Sequence, residues 1–176
     1  DPTLQRELLR MLAEAQLSSL GPRSQQSLET INQFLSDQTL VPEQRWAGTL
    51  VKIRVLIDLK EWRDANTTIS EALQAKKSDS LALQGQEAEY RDHLSLLRAV
   101  SRIQQATDRY GARPSDEFED RSRAVGELSE AMRELGDLQR EASPKIAVQA
   151  RLWSARAFLV QGMQDEALSR LTNVRL

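Results

Sequence analysis

The chain has 176 residues, 40% hydrophobic and 28% charged, which leaves room for one domain or two small ones around a real core. Its 24 basic and 26 acidic residues give a net charge of −2, which excludes the basic footprint of a general nucleic-acid binder. The absence of cysteine excludes disulfides, thiol catalysis and cysteine-ligated zinc, and a single histidine argues against a His-rich metal site. Leu, Ala, Gln, Glu and Arg dominate, all good helix formers, and valine and isoleucine fall at helical rather than alternating spacing. The expected fold is therefore all-α. Pro22, Pro42, Pro114 and Pro144 lie between the helical segments and interrupt none of them, as the ring clash and missing N–H require.

The first expected helix covers residues 3–20, with Leu4, Leu8, Met11, Leu12 and Ala15 as its apolar stripe and Gly21-Pro22 as its stop. A second, 24–36, carries Leu28, Ile31 and Leu35. The third, 43–59, is apolar on two faces: Trp46, Leu50, Ile53 and Ile57 on one, Val51, Val55 and Leu59 on the other. A helix apolar on two sides packs between neighbours. The fourth, 61–76, shows Trp62, Ala65, Ile69, Ala72 and Leu73. Ser78-Asp79-Ser80 supplies capping side chains for a long fifth helix, 79–110, with Tyr90, Leu94, Leu97, Val100 and Ile103. At 1.5 Å per residue such a helix is roughly 45 Å long. The sixth, 116–141, places Phe118, Val125, Leu128, Met132 and Leu135 at heptad-like gaps, so the two long segments read as an antiparallel hairpin. Ser143-Pro144, a capping hydroxyl before proline at the first helical position, starts a seventh, 144–161. It too is apolar on two faces: Ile146, Ala150, Trp153, Ala157 and Val160 against Val148, Leu152, Ala155 and Leu159. Gly162 breaks it, and a last helix, 163–174, shows Ala167, Leu168 and Leu171. We read residues 1–176 as one all-helical domain of helix pairs at 3–36, 43–76 and 144–174 around the hairpin at 79–141.

Two of these pairs are alike. Ala167 follows Ala65 by 102 residues, and the same offset sets Ile69 on Leu171, Ala72 on Val174 and Leu56 on Phe158. That offset is three times the ~34-residue period of the tetratricopeptide helix–turn–helix repeat. The segments LKEWRDANTTISEAL and VQGMQDEALSRL resemble the start of the second helix of that family. Ala65 and Ala167 match its key alanine, Trp62 the aromatic before it, Gly162 its turn glycine and Ala155 the small residue of its first helix. The resemblance covers residues 46–73 and 148–174. It departs from the pattern in three ways: no proline closes the repeat near Lys77, Ile53 stands where a small residue is usual, and Arg133, Asp137 and Arg140 do not fit an intervening repeat. The resemblance implies an α-solenoid that binds other proteins, usually in a concave groove. The lysine and asparagine clamp that the family uses for chaperone C-termini is not seen, because Ala47, Leu50, Val51 and Arg54 occupy those places.

Candidate sites are few. His93, beside Asp92 and near Glu89, lacks a nucleophile or substrate-positioning partner and reads as an ordinary helix histidine. Asp116, Glu117, Glu119 and Asp120 lack the alternation of a calcium loop and read as favourable charge at a helix start. Arg91, Arg98, Arg102 and Arg109 share one strip of the long fifth helix; pairing with Glu87, Asp108 and the acidic sixth helix is expected ahead of contact with phosphate. Trp46, Trp62 and Trp153 read as packing anchors. No phosphate loop, dinucleotide fingerprint or hydrolase motif occurs. The expectation is a non-catalytic scaffold or adaptor, without cofactor or metal, that binds a peptide or helix of another protein. Its contacts are expected at exposed polar positions on the first helices of the pairs: Arg45, Lys52, Arg54 and Arg156. The alternative is a structural bundle that self-associates through the long hairpin. Neither nucleic acid nor membrane insertion is expected, since no apolar run approaches the ~20 residues of a membrane span. The chain opens on Asp1 rather than Met and carries no visible leader, so a piece or processed form of a longer solenoid is expected, with the cytoplasm favoured over export.

Overall fold

The computed structural model describes residues 23–75, 81–111 and 118–172. Among the described residues all regular structure is helical: α1 (Arg23–Leu35), α2 (Pro42–Asp58), α3 (Trp62–Gln74), α4 (Leu81–Gly111), α5 (Phe118–Glu141), α6 (Pro144–Val160) and α7 (Gln164–Thr172). The expected helix at 3–20, the Ser78–Ser80 capping cluster and the start of the acidic stretch, Asp116 and Glu117, lie outside the described residues. The chain divides into two compact units, Asp1–Lys77 and Ser78–Leu176.

In the first unit α2 packs against both α1 and α3. Ile31 and Phe34 of α1 meet Val51 and Val55 of α2 and Leu40 of the connection, with Leu28, Leu35 and Leu59 at the edge. Gly48 marks the closest approach of the two helices. A Cβ there would stand 2.6 Å from Phe34 Cε1 and 2.9 Å from Leu35 Cδ2. The opposite side of α2 buries Ile53, Leu56 and Ile57, as a helix packed on two faces should. Trp46 and Leu50, read from their spacing as core, are only half-buried. They lie on the face turned away from α1, where cover is incomplete. Pro42 starts α2 in the position where its missing N–H costs nothing. Val41 before it has no side-chain acceptor, so only the reciprocal half of a capping box forms: its N–H donates to Gln44 Oε1 at 3.4 Å.

In the second unit α4 and α5 form the expected hairpin, α6 packs on both, and α7 packs on α6. Tyr90, Leu94, Leu97, Val100 and Ile103 are all buried along α4. On α5 the buried stripe is Ala124, Leu128, Ala131, Leu135 and Leu138, with gaps of 4, 3, 4 and 3. The heptad spacing is real, but its phase starts on Ala124. Val125, expected inside, is 49% exposed. Alanine alternates with leucine along this stripe, Ala99 and Ala106 are buried on α4, and a valine one step round falls outside the contact. Between α5 and α6 the contact is partly polar. Gln139 Nε2 donates to Ser154 Oγ at 2.8 Å, and that hydroxyl donates to the Ala150 carbonyl at 2.9 Å. Pro144 opens α6 as expected, whereas the Ser143 hydroxyl makes no cap hydrogen bond.

The helix pairs α2–α3 and α6–α7 turn in the same way. Lys60 and Gly162, 102 residues apart, both take a left-handed backbone, with φ of 61° and 78°. After each, the next N–H reaches back five residues: Glu61 to the Leu56 carbonyl at 2.9 Å, Met163 to the Phe158 carbonyl at 3.0 Å. This is the Schellman closure of a helix C-terminus. The alanines Ala65 and Ala167 then sit buried at the start of the second helices. Glycine adopts such a φ freely; lysine does so against the clash of its Cβ.

Candidate functional site

The three basic residues of α2 expected to meet a partner do not form one cluster. Arg45 and Lys52 stand seven residues apart on one side of α2, about two turns, and Arg54 lies on the opposite side. Arg45 and Arg54 are exposed and Lys52 is half-buried. Arg45 is also tied to the turn before its helix, its Nη2 donating to the Asp37 carbonyl at 3.2 Å. Asp37 organises that turn by accepting from Thr39 N at 2.8 Å and Thr39 Oγ1 at 2.6 Å. Arg156, in the second unit, is exposed and lies over the Trp153 ring, 5.1 Å from its centroid. The three tryptophans are half-buried rather than enclosed.

The arginine strip of α4 is an internal device. Arg98 Nη2 meets Glu134 Oε1 at 2.6 Å, and Arg102 reaches the same oxygen at 3.1 Å through Nη1 and Glu130 Oε2 at 2.9 Å through Nη2. Arg109 Nη1 pairs with Glu127 Oε1 at 2.7 Å. Arginine numbers rise as glutamate numbers fall, so the ladder runs antiparallel and sets the register of the hairpin. Arg91 instead pairs along its own helix with Glu87, at 2.9 Å. Glu127, Glu130 and Glu134 were not singled out from sequence, although their gaps of 3 and 4 place them on one helix face.

His93 is half-buried, and its Nδ1, when protonated, donates to the Glu89 carbonyl one turn back, at 2.9 Å. Asp92 beside it is held above the ordinary carboxylate range, first by burial. His93 opposes that shift, and the charges of Glu141 and Glu89 add to it. Among the described residues no three His, Asp or Glu side chains gather closely enough to hold a metal ion. No helix among them is long and apolar enough to cross a membrane.

One face of α6–α7 departs from the expected packing. Leu152 and Leu159, read as part of a buried second face of α6, are 47% and 53% exposed. Met163 in the turn and Leu168 and Leu171 of α7 are exposed as well. The reason lies in the narrowness of α7's contact. Ile146, Ala150, Ser154 and Ala157 of α6 are buried on the side that meets α4 and α5, and Ala155 is buried alone on the far side, under α7. On one flank of the Ala155–Ala167 seam Arg170 lies over the Phe158 ring, 5.8 Å from its centroid. At 100° per residue the leucines of both helices fall on the other flank, with no element over them among the described residues.

No protein-family model, curated protein or solved structure matches this chain.

Proposed function

We propose that the protein is a non-catalytic interaction scaffold or adaptor, built from tetratricopeptide-like helix pairs, that binds a peptide or helix of another protein. The observation that carries this reading is the shared turn of α2–α3 and α6–α7. Lys60 and Gly162 take the same left-handed conformation at the same offset that pairs Ala65 with Ala167. A repeat kept in both backbone and small-residue contact favours a modular architecture, and such architectures present extended surfaces. The exposed guanidinium of Arg45, with Lys52 two turns along, offers a basic edge on the first helix of one pair, and Arg156 offers one on the other.

Affinity capture with the purified chain as bait tests the reading. Partners are expected that a charge-reversed Arg45→Glu, Lys52→Glu bait or an Arg156→Glu bait retains poorly. Background proteins alone, over a range of salt, count against it. Self-association through the hairpin is the rival. Leu128 and Leu135 of the heptad run are already enclosed within the chain, which leaves the hairpin little apolar seam for a second copy. A monomer size that is independent of concentration removes that rival.

A further inference from the structure

One ionisable side chain continues a stripe that is otherwise apolar. On α4, Leu96, Ala99, Ile103 and Ala106 are all buried, at gaps of 3, 4 and 3. The next place back along that stripe, four residues before Leu96, is Asp92, which is half-buried. Stripes of this spacing take apolar residues, and a polar one there sets register at a cost in stability.

The arginine ladder fixes what lies across from Asp92. Arg102 pairs with Glu130 and Arg98 with Glu134, so four residues back along α4 answer four forward along α5. Seven more on each helix, about two turns, bring Arg91 level with Glu141, the last residue of α5, with Asp92 beside it. The chain then turns and enters α6 at Pro144, and α6 packs on both α4 and α5. Asp92 therefore stands at the base of the hairpin, where three helices converge.

The charges at this base are unbalanced. On α4, exposed Glu89 precedes Asp92 by three residues and half-buried His93 follows it, while Arg91 is paired with Glu87 at 2.9 Å. On α5, Glu141 is exposed, and Arg140 is paired with Asp137. On α6 the buried side is Ile146, Ala150, Ser154 and Ala157, without a charge, and Lys145 is exposed. Burial is the largest influence on Asp92 and favours its protonated form; His93 opposes that, and Glu141 and Glu89 add to it. An ionised carboxylate has to keep its water, which holds the contact open, whereas a protonated one can close among apolar neighbours.

We propose that Asp92 makes the base of the hairpin an acid-closed joint: protonated, it lets the last turn of α5 and the start of α6 seat against α4, and ionised, it loosens that turn. The device does not depend on the scaffold reading.

Amide hydrogen exchange on the full chain reads the joint, with protection corrected for the intrinsic rate at each pH. Between about pH 4 and about pH 7 the protection of residues 138–142 is expected to fall by about threefold or more, and that of residues 124–128, at the far end of α5, by less. Asp92→Asn, which has the same shape and no charge, is expected to keep residues 138–142 protected across that range. Glu141→Gln, at an exposed position, is expected to reduce the fall. An equal fall in both segments, or a fall that Asp92→Asn retains, overturns the proposal. If Asp92→Asn does not fold, Glu141→Gln decides, and a fall that it leaves unchanged overturns the proposal as well.

Discussion

Lys60 and Gly162 close the first helices of their pairs in one left-handed turn, yet only Gly162 is a residue that adopts it without strain. A Cβ on Gly162 would meet nothing within 4 Å, so its whole requirement for glycine is conformational. The two positions therefore test the turn in opposite directions. Lys60→Gly is expected to stabilise the protein by roughly 0.5–1 kcal/mol, the relief of left-handed strain less the added freedom of the unfolded chain. Gly162→Ala is expected to destabilise it by about 1 kcal/mol. Urea unfolding followed by circular dichroism reads both, and equal signs for the two substitutions would contradict the shared turn.

Gly48 has the contrasting requirement, one of space. Its Cβ would stand 2.6 Å from a ring carbon of Phe34, well inside contact distance. Gly48→Ala is expected to cost about 1–3 kcal/mol through overpacking, despite alanine's better helix propensity. Adding Phe34→Leu should recover part of that loss, because the smaller side chain vacates the clash. A thermal melt in which Gly48→Ala is neutral or stabilising would show that α1 shifts away at little cost.

Within the hairpin, the two carboxylates that Arg102 bridges differ in exposure: Glu134 is 12% exposed and Glu130 is 57% exposed. Glu134 also receives Arg98, so its loss leaves two guanidinium groups without their shared acceptor. Glu134→Ala is expected to cost about 1–3 kcal/mol, and Glu130→Ala within about 0.5 kcal/mol of nothing. The difference should persist at high salt, since buried pairs are screened less than exposed ones. Chemical unfolding at low and high ionic strength measures it.

Asp92 gives a pH dependence opposite to that of a carboxylate held in a stabilising ion pair. Its folded-state affinity for protons is raised by burial and by Glu141 and Glu89, with His93 opposing. The folded chain therefore holds this proton to a higher pH than the unfolded chain does. The contribution to stability is fully present below the ordinary aspartate range and is lost as pH rises through the raised value. Asp92→Asn is expected to raise the unfolding midpoint at neutral pH and to flatten its fall as pH rises above the ordinary aspartate range. An unchanged pH profile in the variant would assign that slope to other groups.

Much of the helical framework was legible from periodicity. Prolines 42 and 144 open α2 and α6, the α4 residues that its spacing marked are all buried, and the 102-residue offset returns as a pair of matching turns. These features are local, set by ring geometry, helical phase and backbone φ, so a single sequence carries them. The candidate site was less legible. The basic strip on α4 was visible, but its partners Glu127, Glu130 and Glu134 lie 18 to 36 residues away along the chain, and only the folding back of α5 selects them.

The hydrophobic patterns show the same division. Sequence alone determined that α6 is apolar on two sides, because that depends on spacing along one helix. Which of those sides is enclosed was decided by the tertiary structure. Helix α7 covers the small Ala155 and leaves Leu152 and Leu159 at the surface. Likewise the composition of α5 permits two heptad phases, and the close approach of α4 selects the one that begins on Ala124 and excludes Val125. Burial is a property of the neighbour as much as of the residue. A chain with nearly balanced charge and no cysteine settles what chemistry it lacks, while the packing of α6 and α7 decides which leucines remain at the surface.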